Sequence, residues 1–175
     1  NEERGTFYGA HSHWRAQLFH IAAGSVTVET ARGSFVVPPE RAVWIPSDMD
    51  HAVRYHQRAS VRYLFFRPDA VRHLPQQAAV IRLSPLLREL ITALLSYPRD
   101  IAENGPARRI TAVILDQLAT EPVAPLHLPM PSSPRLRRAV RDLADDPARS
   151  DSLAAVAERA ALSERCFERH FRAET

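Results

Sequence analysis

Two histidines stand two residues apart in the stretch GAHSHWRAQ, residues 9 to 17, and a glutamine follows four residues after the second. Two imidazole nitrogens and an amide oxygen can share a metal ion, and imidazole suits zinc, copper, nickel or iron. In a strand successive side chains point to opposite faces, so His11 and His13 project to one side. Gln17 shares that parity, but so does Arg15, whose charge an interior metal site would reject. A bend or bulge between His13 and Gln17 is therefore predicted. His51 follows the proline-bearing turn PSDMD, at the start of HAVRYH. The competing reading hydrogen-bonds these rings inside a pocket for an organic effector. Trp14, Arg15, Trp44, Tyr55 and Tyr63 are candidates to line such a cavity, Trp44 fitting a core position better. His20, His56, His73 and His127 match no ligand spacing and are expected on the surface or in packing. No residue reads as an activated nucleophile, and no glycine-rich phosphate loop is present.

A second chemistry sits in the last residues, SLAAVAERAALSERCFERHFRAET. They divide into a helix from Leu153 to about Ala160, a turn at Ala161 and Leu162, and a second helix from Ser163. Leu153, Val156, Ala157, Leu162, Phe167 and Phe171 are spaced to form one small core. Arg165, Glu168, Arg169 and Arg172 fall at i, i+3, i+4 and i+7, one polar stripe left free. Such a stripe can be a solvated face, or it can lie in a DNA major groove, where arginine pairs with guanine. Cys166 and His170 are four apart and could pair on a metal; packing against the neighbouring helix explains them more simply.

These groups need elements to position them. Residues 6 to 67 read as seven short strands rich in Val, Ile, Phe, Tyr and Trp, which predicts a small antiparallel barrel or sandwich. After Pro68 the period changes. SPLLRELITALLS has Ser84 as a cap, Pro85 at the first helical position, and Leu86, Leu87, Leu90, Ile91, Leu94 and Leu95 on one side. PARRITAVILDQLAT repeats the device with Ile110, Val113, Ile114 and Leu118. Residues 121 to 134 hold five prolines, which favour extended chain and predict a linker. Three helical patterns follow, with Ser133, Asp151 or Ser152, and Ser163 as caps.

Composition sets the outer limits. The 175 residues are 45% hydrophobic and 25% charged, ordinary for a folded protein. All 23 basic side chains are arginine, and the net charge of +3 argues little for nucleic acid by itself. The one cysteine, Cys166, excludes an intramolecular disulfide and suits a reducing cytoplasm. No apolar run approaches the roughly 20 residues that span a bilayer, so no membrane partner is expected. The chain opens without Met and closes at FRAET inside a helical pattern, which reads as a fragment.

HSHWRAQLFHIAAG resembles the first cupin motif, through His11, His13, Gln17 and Gly24. The second motif is matched by Pro46 and His51, while Glu40 and Asp48 stand where glycines are usual. The resemblance implies a small barrel that brings His11, His13, Gln17 and His51 onto one metal. Three imidazoles and an amide supply no ligand charge, which suits reversible sensing; zinc or nickel is expected. The tail resembles the first helix-turn-helix of AraC-type transcription regulators, with Ala161 in place of the usual turn glycine. By that resemblance Arg165, Glu168 and Arg169 face bases, Ser163 and Arg172 face phosphates, and a second helix-turn-helix lies beyond this chain.

The expectation is an α+β protein with a cupin-like sensor barrel over 1–70, a helical connector over 71–120, a Pro-rich linker over 121–134 and an incomplete DNA-binding region over 135–175. The connector would form a homodimer through helices 84–96 and 106–120. The function expected is ligand- or metal-responsive regulation of transcription. The alternatives are a metal-dependent cupin enzyme, an oxygenase or isomerase, and a dimerisation module with a vestigial site.

Overall fold

All seven expected strands are present in the computed structural model, which describes residues 1–31, 33–98, 104–124, 127–145 and 150–175. They are β1 (Phe7–His11), β2 (Ala16–Ala23), β3 (Val26–Thr30), β4 (Gly33–Val37), β5 (Arg41–Ile45), β6 (His51–Tyr55) and β7 (Ser60–Phe66). Three more follow, β8 (Ala79–Arg82), β9 (Val123–Ala124) and β10 (His127–Pro129). The helices are α1 (Pro85–Leu95), α2 (Pro106–Thr120), α3 (Pro134–Asp145), α4 (Leu153–Arg159) and α5 (Glu164–Glu174). The chain is thus a mixed α and β protein, with two five-stranded sheets ordered β1-β6-β3-β4-β10 and β7-β2-β5-β8-β9. Among the described residues every strand pair is antiparallel.

β2 explains the layering. Its first six residues are all buried, because both faces of the second sheet are covered. Phe19 and Ile21 point to the first sheet and meet Val26, Val28, Phe35, Val53 and Tyr55. Ala16 and Leu18 point the other way, with Trp44, Leu64 and Phe66, and meet Leu87, Ile91 and Leu94 of α1 and Ile114 and Leu118 of α2. Each fully buried Leu, Ile or Phe contributes about 1.5–3 kcal/mol, so the second sheet is anchored twice.

The boundaries differ from those expected. The sheet does not end near residue 70, since β8 pairs with β5 from Arg41↔Arg82 to Trp44↔Ala79. Residues 121–134 are more than a spacer: β9 adds to β8, and β10 adds to β4. Extended backbone rich in proline is tolerated at a sheet edge, where Pro129 sits. The α1 stripe also splits: Leu87, Ile91 and Leu94 are buried on the sheet, while Leu86 and Leu95 are exposed.

In the tail, Leu136, Ala139 and Val140 of α3 close over Val156, Ala157 and Phe167, with Leu162 and Phe171 half-buried. Leu153, expected in this core, is exposed instead. Ser84, Ser152 and Ser163 each accept the amide three residues on, capping α1, α4 and α5. Ser152, not Asp151, is the cap of α4. Among the described residues no helix is long and apolar enough to cross a membrane.

Candidate functional site

β1 ends at His11, which stands directly across from His51 in the pairing of β1 with β6. His13 is not in that strand, as parity alone suggested; it lies in the connection to β2, and the chain bends at Trp14 and Arg15 before β2 begins. This is the predicted bend, and it leaves Arg15 exposed while Gln17 turns inward beside Phe19. The three imidazole rings converge, with centroids 4.4 Å apart for His11 and His51, 5.1 Å for His13 and His51, and 6.2 Å for His11 and His13. The turn that carries His51 is docked on the turn that carries His13, by the Asp48 amide donating to the His13 carbonyl at 2.9 Å.

Hydrogen bonds choose the tautomers. Nδ1 of His11 faces the Gly9 carbonyl at 2.8 Å, Nδ1 of His13 the Arg15 carbonyl at 2.6 Å, and Nδ1 of His51 the Met49 carbonyl at 2.9 Å. A carbonyl only accepts, so each Nδ1 carries the proton and each Nε2 keeps its lone pair. Metal-binding histidines are held in this way by main-chain acceptors. Nε2 of His13 lies 2.9 Å from Oε1 of Gln17. Both atoms are acceptors in the neutral ring, so the contact calls for a second proton on His13, a turned amide, or a shared cation. His51 is 2% exposed. Burial holds its basicity below the usual histidine range, against the Met49 carbonyl, which raises it, while positive charge on His11 and His13 lowers it further. A ring kept neutral is a ring able to ligate. Among the described residues no group of three His, Cys, Asp or Glu side chains is already set in ligand geometry. The fit to a metal rests on the donor set, three neighbouring imidazoles and an amide oxygen.

Phe65, not anticipated as a site residue, stands edge-on to His13 with centroids 5.3 Å apart and is half exposed. Its signal was its alternation with Tyr63 along β7. The expected lining residues are dispersed. Tyr55 is buried in the core and its hydroxyl meets that of Tyr63 at 2.7 Å; burial raises both phenols above their usual range. Tyr63 stacks on Phe19 at 4.9 Å. Trp14 is exposed, with the Arg15 guanidinium 4.8 Å over its ring. Trp44 is in the core, its indole donating to the Pro75 carbonyl. Of the unmatched histidines, His73 is exposed, His56 meets the Thr27 hydroxyl, and the side chain of His127 lies outside the described residues. His20 is fully buried against the helices, with neither ring nitrogen partnered among the described residues. Burial, then Arg62 and Arg88, push its pKa down to about 4 against the opposing pull of Glu40.

Residues other than glycine hold left-handed backbone at three turns: Glu40 (φ 63°), Asp48 (φ 58°) and Ala161 (φ 48°). These are the positions at which the resembled motifs usually carry glycine, and here the turns hold that conformation without it, at about 1–2 kcal/mol each for an ordinary residue. Gly24 was retained (φ 83°), and a Cβ there would meet the Arg58 carbonyl oxygen at 2.6 Å. At Ala161 the α4 end closes through Leu162 N–H to the Ala157 carbonyl and Ala161 N–H to the Glu158 carbonyl. The Arg135 guanidinium donates to the carbonyls of Ala160 and Ala161, bracing that turn. Beyond it Ser163, Arg165, Glu168, Arg169 and Arg172 are all exposed on α5, and Cys166 is half-buried beside exposed His170.

The AraC-like ligand binding domain family matches residues 1–119. The HTH-type transcriptional regulator NimR of Escherichia coli K12 is 34% identical over 155 residues, 89% of this chain and 56% of that protein. The chain therefore spans little more than half the length of this relative. The crystal structure of ToxT from Vibrio cholerae superposes with a TM-score of 0.50 at 5% identity, over 99% of this chain and 73% of that one, a likeness of fold. With its paired antiparallel sheets, its convergent histidines and a family match over most of its length, the chain belongs to the AraC-like ligand binding domain family.

Proposed function

We propose that this chain is the sensor and the first part of the DNA-reading unit of a transcription regulator, and that its barrel responds to zinc, nickel or a small effector held at His11, His13, His51 and Gln17. The observation that supports the metal reading is the convergence of three imidazoles whose Nδ1 atoms all face main-chain carbonyls, which turns the Nε2 atoms of His11 and His51 to other partners and sets that of His13 against the Gln17 amide oxygen. A bound divalent ion would supply positive charge and open coordination positions for an anionic or carbonyl effector. His11 ends β1 and His13 lies in the connection to β2, so drawing them to His51 would shift β1 against β6. A ligand that prefers that closed arrangement biases whatever is attached to it.

The exposed stripe of Arg165, Glu168, Arg169 and Arg172 supports DNA reading by α5, with Arg165 and Arg169 at bases and Ser163 and Arg172 at phosphates. The outward apolar side chains Leu86 and Leu95 on α1 and Val113 on α2 support homodimerisation through those helices.

Calorimetric titration of chelator-treated protein with Zn²⁺ and Ni²⁺ tests the sensor. One equivalent should bind, and a His11→Ala/His51→Ala variant should bind on the order of 100-fold more weakly. Equal, negligible uptake by both proteins would remove the metal and leave an organic effector.

A further inference from the structure

The end of the barrel remote from the histidines carries its own concentration of charge. β5 runs from Arg41 to Ile45, and Gln17 pairs with Ile45 while Ile21 pairs with Arg41. The two ends are therefore about 14 Å apart at roughly 3.4 Å per residue. At the far end Arg41 and Arg82 are direct register partners, so their side chains leave one face of the sheet together. Like charges directly opposite one another in a strand pair are destabilising, and the usual remedy is a counter-charge between them. Neither finds one. Among the described residues Nε of Arg41 is buried without a hydrogen-bond partner, and Arg82 has no ion pair.

Both arginines open into a cleft of about 540 Å³ that also receives Arg88, Glu40, Ser84 and Glu121. The acidic groups there are already engaged: Glu40 binds Arg88 at 2.6 Å, and Glu121 accepts the Ser84 amide at 3.3 Å. Glu121 keeps its charge in that contact, so three arginines face two carboxylates and the cleft holds a net charge of +1, with neither Arg41 nor Arg82 in a salt bridge among the described residues. Two adjacent guanidiniums present forked donors that match carboxylate or phosphate oxygens, not cations or neutral sugars.

The geometry points to a second ligand site in which Arg41 and Arg82, with Arg88 beside them, clamp a small oxyanion, a phosphate- or carboxylate-bearing molecule, at the seam of β5, β8 and the start of α1. The cleft wall includes Glu121 and Pro122, immediately before β9, so occupancy would reach the segment that leads out to the helical tail. This site goes beyond the histidine sensor and does not depend on it.

The test is thermal unfolding and calorimetry of the 175-residue chain with inorganic phosphate or malonate, at ionic strength matched with sodium chloride, alongside Arg82→Gln and Arg41→Gln. Wild type should bind one of these anions saturably. Arg82→Gln should weaken binding on the order of tenfold or more, as one forked pair is lost. The same variant should unfold at a higher temperature than wild type without anion, since the like-charge pair is relieved; a merely structural arginine would lower it. General stabilisation by excluded anions persists in the variants and cancels in the comparison. Response to phosphate alone assigns a phosphorylated ligand, and response to malonate alone a dicarboxylate. If neither anion binds wild type more tightly than Arg82→Gln, the site does not exist. The His11→Ala/His51→Ala variant should retain anion binding, so this result and that for the metal fail separately.

Discussion

The barrel and the helical tail are held together at very different depths. The second sheet is sandwiched between the first sheet and two helices, and its strands bury large side chains on both faces. The tail closes, among the described residues, on seven buried side chains of which three are alanines, with Phe167 the one aromatic. The same kind of irregularity, a left-handed residue other than glycine, occurs in both regions. At Asp48 it lies in a turn bonded to His13; at Ala161 it lies in a turn braced by one arginine from α3. The lesson is that an equal local perturbation should pass almost unnoticed in the barrel and decide the fate of the tail.

Phe167→Ala gives the largest test. It should cost the tail about 3–5 kcal/mol, more than its small core can spare, and melt α3 to α5 as a unit. Both tryptophans, Trp14 and Trp44, are in the barrel. Helical circular dichroism should therefore fall while tryptophan emission holds. Emission that shifts in step would show one cooperative body and break the contrast.

Acid should strike the barrel side first. His20 faces Arg62 from β7, Arg88 from α1 and Glu40 from the turn before β5, and its folded pKa of about 4 lies below the ordinary 6.5. The unfolded chain then binds the proton more readily, so stability falls as pH drops from about 6.5 to about 4 and changes no further below that through this group. The full effect is about 3 kcal/mol. His51, lowered in the same direction, adds to it. Urea unfolding followed by tryptophan emission should show the slope in wild type and a shallower one in His20→Leu; identical slopes would assign the acid sensitivity elsewhere.

Ala161→Gly is the smallest change. Relief of the left-handed strain outweighs the added freedom of the unfolded chain, and the tail should gain about 0.5–1 kcal/mol. A rise in the helical midpoint with the barrel transition unmoved would sharpen the contrast, and a fall would mean that Arg135 already removes the strain.

Much of this was legible in the sequence, and unevenly so. β-branched and aromatic runs between turn residues marked the first seven strands, and serine caps marked the helices. β8, β9 and β10 were hidden because they are two to four residues long and owe their form to partners far along the chain. The candidate set His11, His13, Gln17 and His51 was visible as a motif, and the structure brings the three imidazole rings together with Gln17 against His13. Strand parity, however, misjudged His13, since β1 had already ended. Parity could not place His20 either: a strand buried on both faces, as β2 is, gives no polar alternation to say which side is which. Leu153 looked like core because its helix is amphipathic, yet as the first residue of α4 it stays exposed.

The two short strands after α2 also govern how this molecule can be cut. Residues 123–124 cover β8 and residues 127–129 cover β4. A barrel excised at residue 120 would bare the rims of both sheets at once, and exposed rims recruit further strands. Isolated preparations ended there should clump, whereas those carried through Pro129 should stay dispersed.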